Sequence, residues 1–243
     1  MSTNDALLLI GHGSARYPDA GSAMRRHAEH LRTSGRFAQV EIALLNGAPS
    51  VARALALIKT PTLRVVPFFM EDGYFTRVAV PHALGDRPAI ICPPVGVHDG
   101  MAGLIERNAL AACDGLAVLS RTAAVLVVGH GSATSPGRAL ALHRHTARVA
   151  ATELFARVEA ACLEEPPLVA NALAGLRTHP VVVIGFLANH GGHLRDDLPA
   201  LIAAERAARA DAARPVQFHG SVADDPMMVQ IIIDQAIGDP RGE

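Results

Sequence analysis

The sequence has no tryptophan and only two tyrosines, and aromatic residues make up 4% of the chain. This scarcity removes the aromatic platforms on which proteins stack nucleic-acid bases. The net charge is −1, so the chain also lacks the excess of basic groups that binds phosphate backbones. We therefore exclude nucleic acid as an expected partner.

Cysteines are few and far apart. Cys92, Cys113 and Cys162 form no CxxC pair and are odd in number, which argues against a disulfide framework or a thiolate metal cluster. We expect them to be small buried side chains. The chain has no apolar run of about 18 residues, and its first residues lack the pattern of a signal peptide. The expectation is a cytoplasmic protein without a membrane span.

Hydrophobic residues form 50% of the chain and charged residues 19%, as in ordinary globular proteins. Histidine is abundant, with 12 residues. Four of them lie in arginine-rich helical patterns, for which a solvent-exposed helix face is the interpretation: His27, His30, His143 and His145. Composition alone does not make these side chains ligands.

The chain repeats itself at an offset of 118 residues. The string Gly-His-Gly-Ser-Ala occurs at 11–15 and again at 129–133. The same offset then pairs identical residues further along, among them His27 with His145, Gly73 with Gly191, Arg77 with Arg195 and Pro81 with Pro199. Agreement at one offset over this length indicates a duplication. We predict two tandem domains, residues 1–118 and 119–243.

Each half alternates short apolar runs with helical patterns. Strands are predicted at 6–11, 38–45, 63–69, 89–92, 124–129, 157–163, 181–187 and 215–218. Helices are predicted at 18–33, 49–59, 99–112, 203–213 and 225–237. Short continuous apolar runs fit parallel strands that are covered on both faces. The predicted fold class is α/β, with two duplicated domains that each form an open parallel sheet flanked by helices.

Open parallel sheets bind ligands at the carboxyl ends of their strands. His130 follows the first strand of the second half, between Gly129 and Gly131, which allow a sharp backbone turn. A structural histidine under a loop is the alternative. Glu164 follows the second strand, either as a solvent-exposed acid or as a group facing the same edge.

The segment after the third strand, residues 189–199, is the most polar of the chain. Asp196 and Asp197 suit the start of a helix at Pro199, because acidic side chains favour a helix N-terminus. Capping does not explain two histidines in a glycine turn. His193 is therefore expected to converge with His130 at one edge of the sheet.

A strand followed by Gly-His-Gly-Ser, with a later strand followed by x-Gly-x-His-x-x-x-Asp-x-Pro, resembles the sirohydrochlorin chelatase family. These are CbiX-type class II cobaltochelatases and ferrochelatases of cobalamin and sirohaem biosynthesis, here in their two-domain long form. The second spacing is met by Gly191, His193, Asp197 and Pro199. The resemblance implies a lyase whose histidines face a cleft between domains, hold the incoming metal and help to remove pyrrole protons, with no organic cofactor.

The resemblance makes His130 and His193 the metal ligands, and together with Glu164 the catalytic residues. Neutral imidazole accepts Co²⁺ or Fe²⁺, with Ni²⁺ as a further candidate, and two nitrogens leave positions open for the macrocycle. Imidazole and carboxylate can take the two protons released on insertion. Substrate contacts are expected from a wider set: Ser132, Gly191, Arg195, Arg77, Arg16 and His12. The arginines would bind tetrapyrrole carboxylates, or are ordinary surface residues.

The first half departs from this motif. Phe75 stands at the position of His193, Ala79 at that of Asp197 and Asn46 at that of Glu164, so that only His12 survives. These losses place the expected site in the second half. In the first half's equivalent loop, Glu71 and Asp72 are candidates for guiding the metal or accepting a proton.

Two other functions compete with the chelatase. A non-catalytic tetrapyrrole or metal carrier would share every residue named above. A zinc hydrolase is disfavoured because the sequence has no H-E-x-x-H motif. Since the duplication supplies in one chain the two lobes that single-domain relatives assemble as dimers, we expect a monomer.

Overall fold

The computed structural model describes residues 3–134, 137–189, 191–209 and 214–238, apart from the side chains of Thr3, Pro18 and His193. Strands within these ranges form two parallel sheets of four strands each. Helices flank both sheets, so the predicted α/β class with one open parallel sheet in each half is confirmed.

The first sheet has the strand order β2-β1-β3-β4. A 3₁₀ turn at Pro18–Gly21 precedes its first helix, and a π-helical turn at Phe75–Ala79 leads into its third. The elements are β1 (Thr3–Gly13), α1 (Ser22–Thr33), β2 (Phe37–Asn46), α2 (Val51–Leu57), β3 (Leu63–Pro67), α3 (Val80–Leu84), β4 (Ile90–Ile91) and α4 (Met101–Gly115).

The second sheet repeats this arrangement in the order β6-β5-β7-β8. A π-helical turn at His193–Asp197 again leads directly into the third helix. The elements are β5 (Ala124–Gly129), α5 (Leu140–Ala150), β6 (Arg157–Cys162), α6 (Val169–Gly175), β7 (Val181–Gly185), α7 (Leu198–Ala208), β8 (Val216–Ser221) and α8 (Met228–Ile237).

The inner strands are buried on both faces, which explains why β5, β7 and residues 6–10 of β1 are apolar without alternation. The outer strands β2, β6 and β8 keep partly exposed residues. Residues 6–10 of β1 and 124–128 of β5 have no exposed surface. On one face of the first sheet, Leu8 and Ile10 pack with residues of α2 and α3. Full burial of each such aliphatic side chain stabilises the fold by about 1.5–3 kcal/mol. The core is built mainly from Val, Leu, Ile and Ala, with Phe68 and Phe186 among its largest fully buried side chains.

The compact units of the structure do not follow a single cut of the chain at residue 118. One unit comprises Met1–His98, Ala188–Gly191 and Pro226–Glu243, and the other Asp99–Leu187 and Gly192–Asp225. Helix α4 thus packs against α5 and β7, and helix α8 against β3 and α1. The predicted domains 1–118 and 119–243 are the two copies of the sequence repeat. That they are separate domains stays a prediction.

Polar contacts hold these two helices in their units. Arg64 donates to the carbonyl oxygen of Ala236 at 2.7 Å, and so ties α8 to β3. Asn108 of α4 donates to the buried carboxylate of Asp225 at 3.0 Å. None of the helices in the described ranges combines the length and the apolarity needed to cross a bilayer.

Two of the four helical histidines are not exposed, so that prediction is wrong for His27 and His145. Their exposures are 2% and 0%, and their rings lie 6.0 Å from Phe68 and 5.8 Å from Phe186. On α1, His27 shares the face of Met24, Ala28 and Leu31, the buried side of an amphipathic helix. His30 and His143 are exposed, as predicted.

Candidate functional site

His130 and Glu164 meet at the carboxyl edge of the second sheet. His130 directly follows β5, and Glu164 lies two residues beyond the end of β6. The Nδ1 atom of His130 is 3.7 Å from Oε2 of Glu164, and the side chains are 50% and 40% exposed. The structure therefore brings together two of the three predicted catalytic residues where a ligand from solvent can reach them.

The hydrogen bonding of His130 selects one form of its imidazole. Nδ1 lies 2.9 Å from the carbonyl oxygen of Gly131 and 3.7 Å from the carboxylate of Glu164. Both are acceptors, so the ring proton belongs on Nδ1. Nε2 then carries the lone pair. This is the form in which a histidine binds a metal while a second group orients the ring.

The backbone of this loop is held by the end of β6. The carbonyl oxygen of His130 accepts from the N–H groups of Leu163 at 3.2 Å and Glu164 at 3.0 Å. Gly131 has a φ of +71°, and a Cβ there would lie 2.7 Å from Cβ of Cys162. Only glycine fits this conformation and this space. The two glycines around His130 thus form a tight, well-supported turn.

The third strand end carries the segment that contains His193. This residue begins the π-helical turn His193–Asp197, which continues into α7. The side chain of His193 and the whole of His190 lie outside the described residues, so the predicted role of His193 is not tested. Gly191 is half-buried, and Arg195 is exposed.

The predicted helix start at Pro199 is confirmed to within one residue, because α7 begins at Leu198 with Pro199 in its first turn and Asp197 as its N-cap residue. The helix predicted at 203–213 is part of α7, which ends at Ala208, and residues 210–213 lie outside the described residues. The feature that the sequence did not predict is the π-helical turn His193–Asp197 ahead of α7, which contains Asp196 and Asp197. Single-turn π-helices give no clear sequence signal, and they occur frequently at functional sites.

The same edge of the first sheet is aromatic. His12 has the same Nδ1 contact, 2.9 Å from the carbonyl oxygen of Gly13. Its ring meets Phe75 edge-on with centroids 4.6 Å apart, and Phe75 also stacks on Phe69 at 5.8 Å. Phe75 begins its π-helical turn just as His193 begins the other. The position of the second histidine is therefore filled by a phenyl ring packed on the first.

Arg77 and Asp72, predicted as substrate and proton contacts, bind each other. The guanidinium of Arg77 donates to Oδ2 of Asp72 at 2.8 and 3.1 Å, and Thr76 donates to Oδ1 at 2.6 Å. The hydrogen bond from Arg77 is the main reason that the pKa of Asp72 lies below its usual range. This carboxylate stays ionised and is a poor proton acceptor. Glu71 is half-buried in the same loop.

The remaining predicted substrate contacts are surface groups. Arg16 is exposed, and its guanidinium lies 5.2 Å from the centre of the Tyr17 ring. The hydroxyl of Ser132 lies 3.3 Å from that of Thr134. The side chains of Arg16 and Ser132 can therefore be reached from solvent, and their contacts do not indicate which ligand they bind.

Thiol chemistry does not contribute to the site. All three cysteines are free and buried, as predicted. Burial raises the pKa of Cys92 to about 11 and also raises that of Cys113. Across the described residues no group of three or more His, Cys, Asp and Glu side chains could enclose a metal.

Glu165 was missed by the sequence analysis. Its side chain is only 3% exposed, and its Oε2 accepts from the N–H of Gly137 at 2.7 Å. The available signal was the doubled acid Glu164-Glu165 at a strand end, because successive residues there point to opposite sides. Its counterpart at the repeat offset, Gly47, carries no side chain.

Comparison with known proteins gives a consistent result. The family model CbiX matches residues 6–112 and 124–237. The chain is 25% identical over 273 residues to a probable sirohydrochlorin cobaltochelatase of Halobacterium salinarum, covering 98% of this chain and 93% of that protein.

Two solved structures share the fold. DR2241 from Deinococcus radiodurans, a multi-domain protein with structural similarity to chelatases and two additional domains, matches with a TM-score of 0.82 and 25% identity over 98% of this chain. This chain spans 56% of that protein. SirB from Bacillus subtilis with Fe³⁺ matches with a TM-score of 0.76 and 16% identity, over 96% of this chain and 94% of SirB.

Proposed function

This chain belongs to the CbiX family, and we propose that it inserts a divalent metal ion, Co²⁺ or Fe²⁺, into sirohydrochlorin or a closely related tetrapyrrole. The observation that carries the proposal is the position of His130, which is half-exposed at the carboxyl edge of the second sheet with its Nδ1 3.7 Å from the carboxylate of Glu164. A relative that covers 98% of the chain is described as a probable sirohydrochlorin cobaltochelatase.

Metal insertion exchanges one divalent ion for two protons. The ion first binds Nε2 of His130 and the imidazole of His193, while water fills its remaining positions. As the macrocycle nitrogens take the ion, these imidazole nitrogens become free. One of them accepts the first pyrrole proton, and Glu164, 3.7 Å behind His130, accepts the second. The half-exposed side chains then pass both protons to solvent.

Anchoring of the tetrapyrrole requires groups that match its carboxylates. We assign this role to Arg195, which is exposed in the turn that also contains His193. Arg16, Ser132, Gly191 and His12 are further proposed contacts. Arg77 is a weaker candidate because Asp72 already holds its guanidinium.

The choice of metal follows from the ligands only in part. Imidazole sites take Co²⁺, Fe²⁺ and Ni²⁺ with affinities that follow the Irving–Williams order, so metal supply selects among them. The reaction is that of a lyase in cobalamin or sirohaem biosynthesis. We propose that the chain works in the cytoplasm as a monomer. A light-scattering mass near 25.5 kDa supports the monomer, and twice that value contradicts it.

The test is the visible spectrum of sirohydrochlorin mixed with Co²⁺ and substoichiometric protein. A chelatase forms many equivalents of metallated product for each protein molecule, above the rate without protein. A carrier changes the spectrum by at most about one equivalent and then stops. A stoichiometric result rejects the enzymatic function. Turnover that is equal in the wild type and in His130→Ala rejects His130 as part of the site.

A further inference from the structure

A buried carboxylate supports the loop that presents His130. We propose that Glu165 is a positioning residue that fixes the orientation of the His130 imidazole, an inference that rests on the proposed function of that site. Glu164 and Glu165 diverge at the end of β6. Glu164 is 40% exposed beside the imidazole, whereas Glu165 is 3% exposed beneath the loop.

Glu165 touches the loop at two points. Its Oε2 accepts from the N–H of Gly137 at 2.7 Å, and its Cγ lies 2.7 Å from where a Cβ on Gly131 would stand. Gly131 supplies the carbonyl oxygen 2.9 Å from Nδ1 of His130. The contacts therefore run from the buried acid through Gly131 to the ring nitrogen that sets the tautomer.

The other oxygen of this carboxylate faces a thiol. Oε1 lies 3.8 Å from the Sγ of Cys162, the last residue of β6. A carboxylate removed from water is tolerated only where donors compensate its lost hydration. The position thus favours a side chain that links the end of β6 to the loop after β5, rather than an apolar residue that would only fill space.

The first half supports its loop differently. There β1 continues through His12 to Gly13, and its ladder with β2 extends to the pair Gly13 and Asn46. The ladder between β5 and β6 ends at Gly129 and Cys162, and beyond it the N–H groups of Leu163 and Glu164 donate to the carbonyl oxygen of His130. The side chain of Glu165 adds a further support to this loop, and its counterpart in the first half is Gly47, which has no side chain.

The test compares three variants with the wild type. Glu165→Ala removes the carboxylate. Glu165→Gln retains an oxygen that can accept from Gly137. Glu205→Gln is the matched control, because Glu205 is also a buried acid, 6% exposed, but binds Arg177 and Arg209 near the amino ends of the strands.

Imidazole nitrogen NMR on the metal-free protein at one pH reports the tautomer directly. The His130 signal is assigned by its loss in His130→Ala. We expect the Nδ1-protonated form in the wild type, Glu165→Gln and Glu205→Gln, and a mixture of both tautomers in Glu165→Ala. Should Glu165→Ala fail to fold, Glu165→Asp, shorter by one CH₂, must show the mixture. A His130 signal unchanged in the folded variant overturns the proposal.

Turnover separates positioning from stability. Glu165→Ala should lower kcat about tenfold, the order found when a group supporting a metal ligand is removed, and change the KM for the tetrapyrrole less than about twofold. Glu165→Gln should recover most of this loss. If Glu165→Ala and Glu205→Gln lower the melting temperature alike with unchanged kcat, Glu165 is only structural. Should the wild type insert no metal, the proposed function fails while the NMR result still decides the role of Glu165.

Discussion

At the carboxyl edge of the first sheet, the ring of Phe75 packs against His12, and Arg77 is bound to Asp72. At the same edge of the second sheet, His130 lies beside Glu164, with Glu165 buried beneath its loop. The two edges have equivalent backbones, including a π-helical turn after each third strand. Their difference shows that the fold can be kept while the chemistry of its loops changes.

The loops at the carboxyl edge of each sheet can change because they are separate from the buried strands that form its core. Residues 6–10 and 124–128 are fully buried in their sheets, and the same kind of aliphatic packing holds both. The residues at the strand ends contribute little to that packing, so they can be replaced without loss of the sheet. Function must therefore be assigned from the residues of each edge and not from the shared fold.

The largest effect should come from the histidines. His130→Ala and His193→Ala are each expected to slow metal insertion at least about tenfold, because a ligand and proton acceptor is lost. His12→Ala should cost clearly less, since its ring packs against Phe75 and has no second imidazole in the equivalent place. The measurement is the initial rate of the sirohydrochlorin spectral change. If His12→Ala abolishes metal insertion while His193→Ala inserts metal at the wild-type rate, the site lies in the first half.

A smaller loss should follow from neutralising the acid. Glu164→Gln is expected to lower kcat about fivefold, because the amide cannot accept the second proton. This is less than the roughly 10²–10⁴-fold that a general base contributes, because the side chain is 40% exposed and water can accept the proton in its place. Asn46 occupies the matching position of the first half, and Asn46→Ala is the matched control that should leave kcat within twofold. If Glu164→Gln has the same kcat as the wild type, Glu164 is an exposed surface acid without a catalytic role.

The arginines should differ in substrate binding. Arg195→Ala is expected to raise the KM for the tetrapyrrole about threefold with little change in kcat, because a carboxylate contact forms equally in the ground and transition states. Arg77→Ala should have a smaller effect, since Asp72 already engages that guanidinium. Steady-state kinetics on both variants check the pair. A larger rise in KM for Arg77→Ala would reverse the assignment.

The smallest effect on activity should come from the ion pair between Arg177 and Glu205 in the second half. The repeat offset places Lys59 and Arg87 at the matching positions of the first half. Arg177 holds the pKa of Glu205 below its usual range, so this stabilisation is present above about pH 4.5 and is lost as the pH falls further. Glu205→Gln should reduce the free energy of unfolding by about 1–3 kcal/mol at pH 7. The difference in the free energy of unfolding between the wild type and Glu205→Gln should become smaller as the pH is lowered. A difference that is the same at pH 7 and pH 3 would contradict this.

The repeat, the α/β class and all eight strand positions were accessible from the sequence, because continuous apolar runs and turn residues are local signals. Of these strands, β4 is only two residues long. The convergence of His130 and Glu164 followed from the rule that parallel strands end at one edge.

Three features were not accessible. The burial of His27 and His145 depends on which helix face meets the sheet, and their arginine neighbours obscured that face. The π-helical turn before α7 has no sequence signature. The role of Glu165 depends on a contact with Gly137, 28 residues away, which no local pattern reports.

The central claim is that the metal enters through the second half of the chain. Crystals soaked in Co²⁺ and measured at the cobalt absorption edge would locate the ion by its anomalous scattering. The account predicts a peak within bonding distance of Nε2 of His130 and of the imidazole of His193, and none beside His12. A peak at His12 with none at His130 would contradict it.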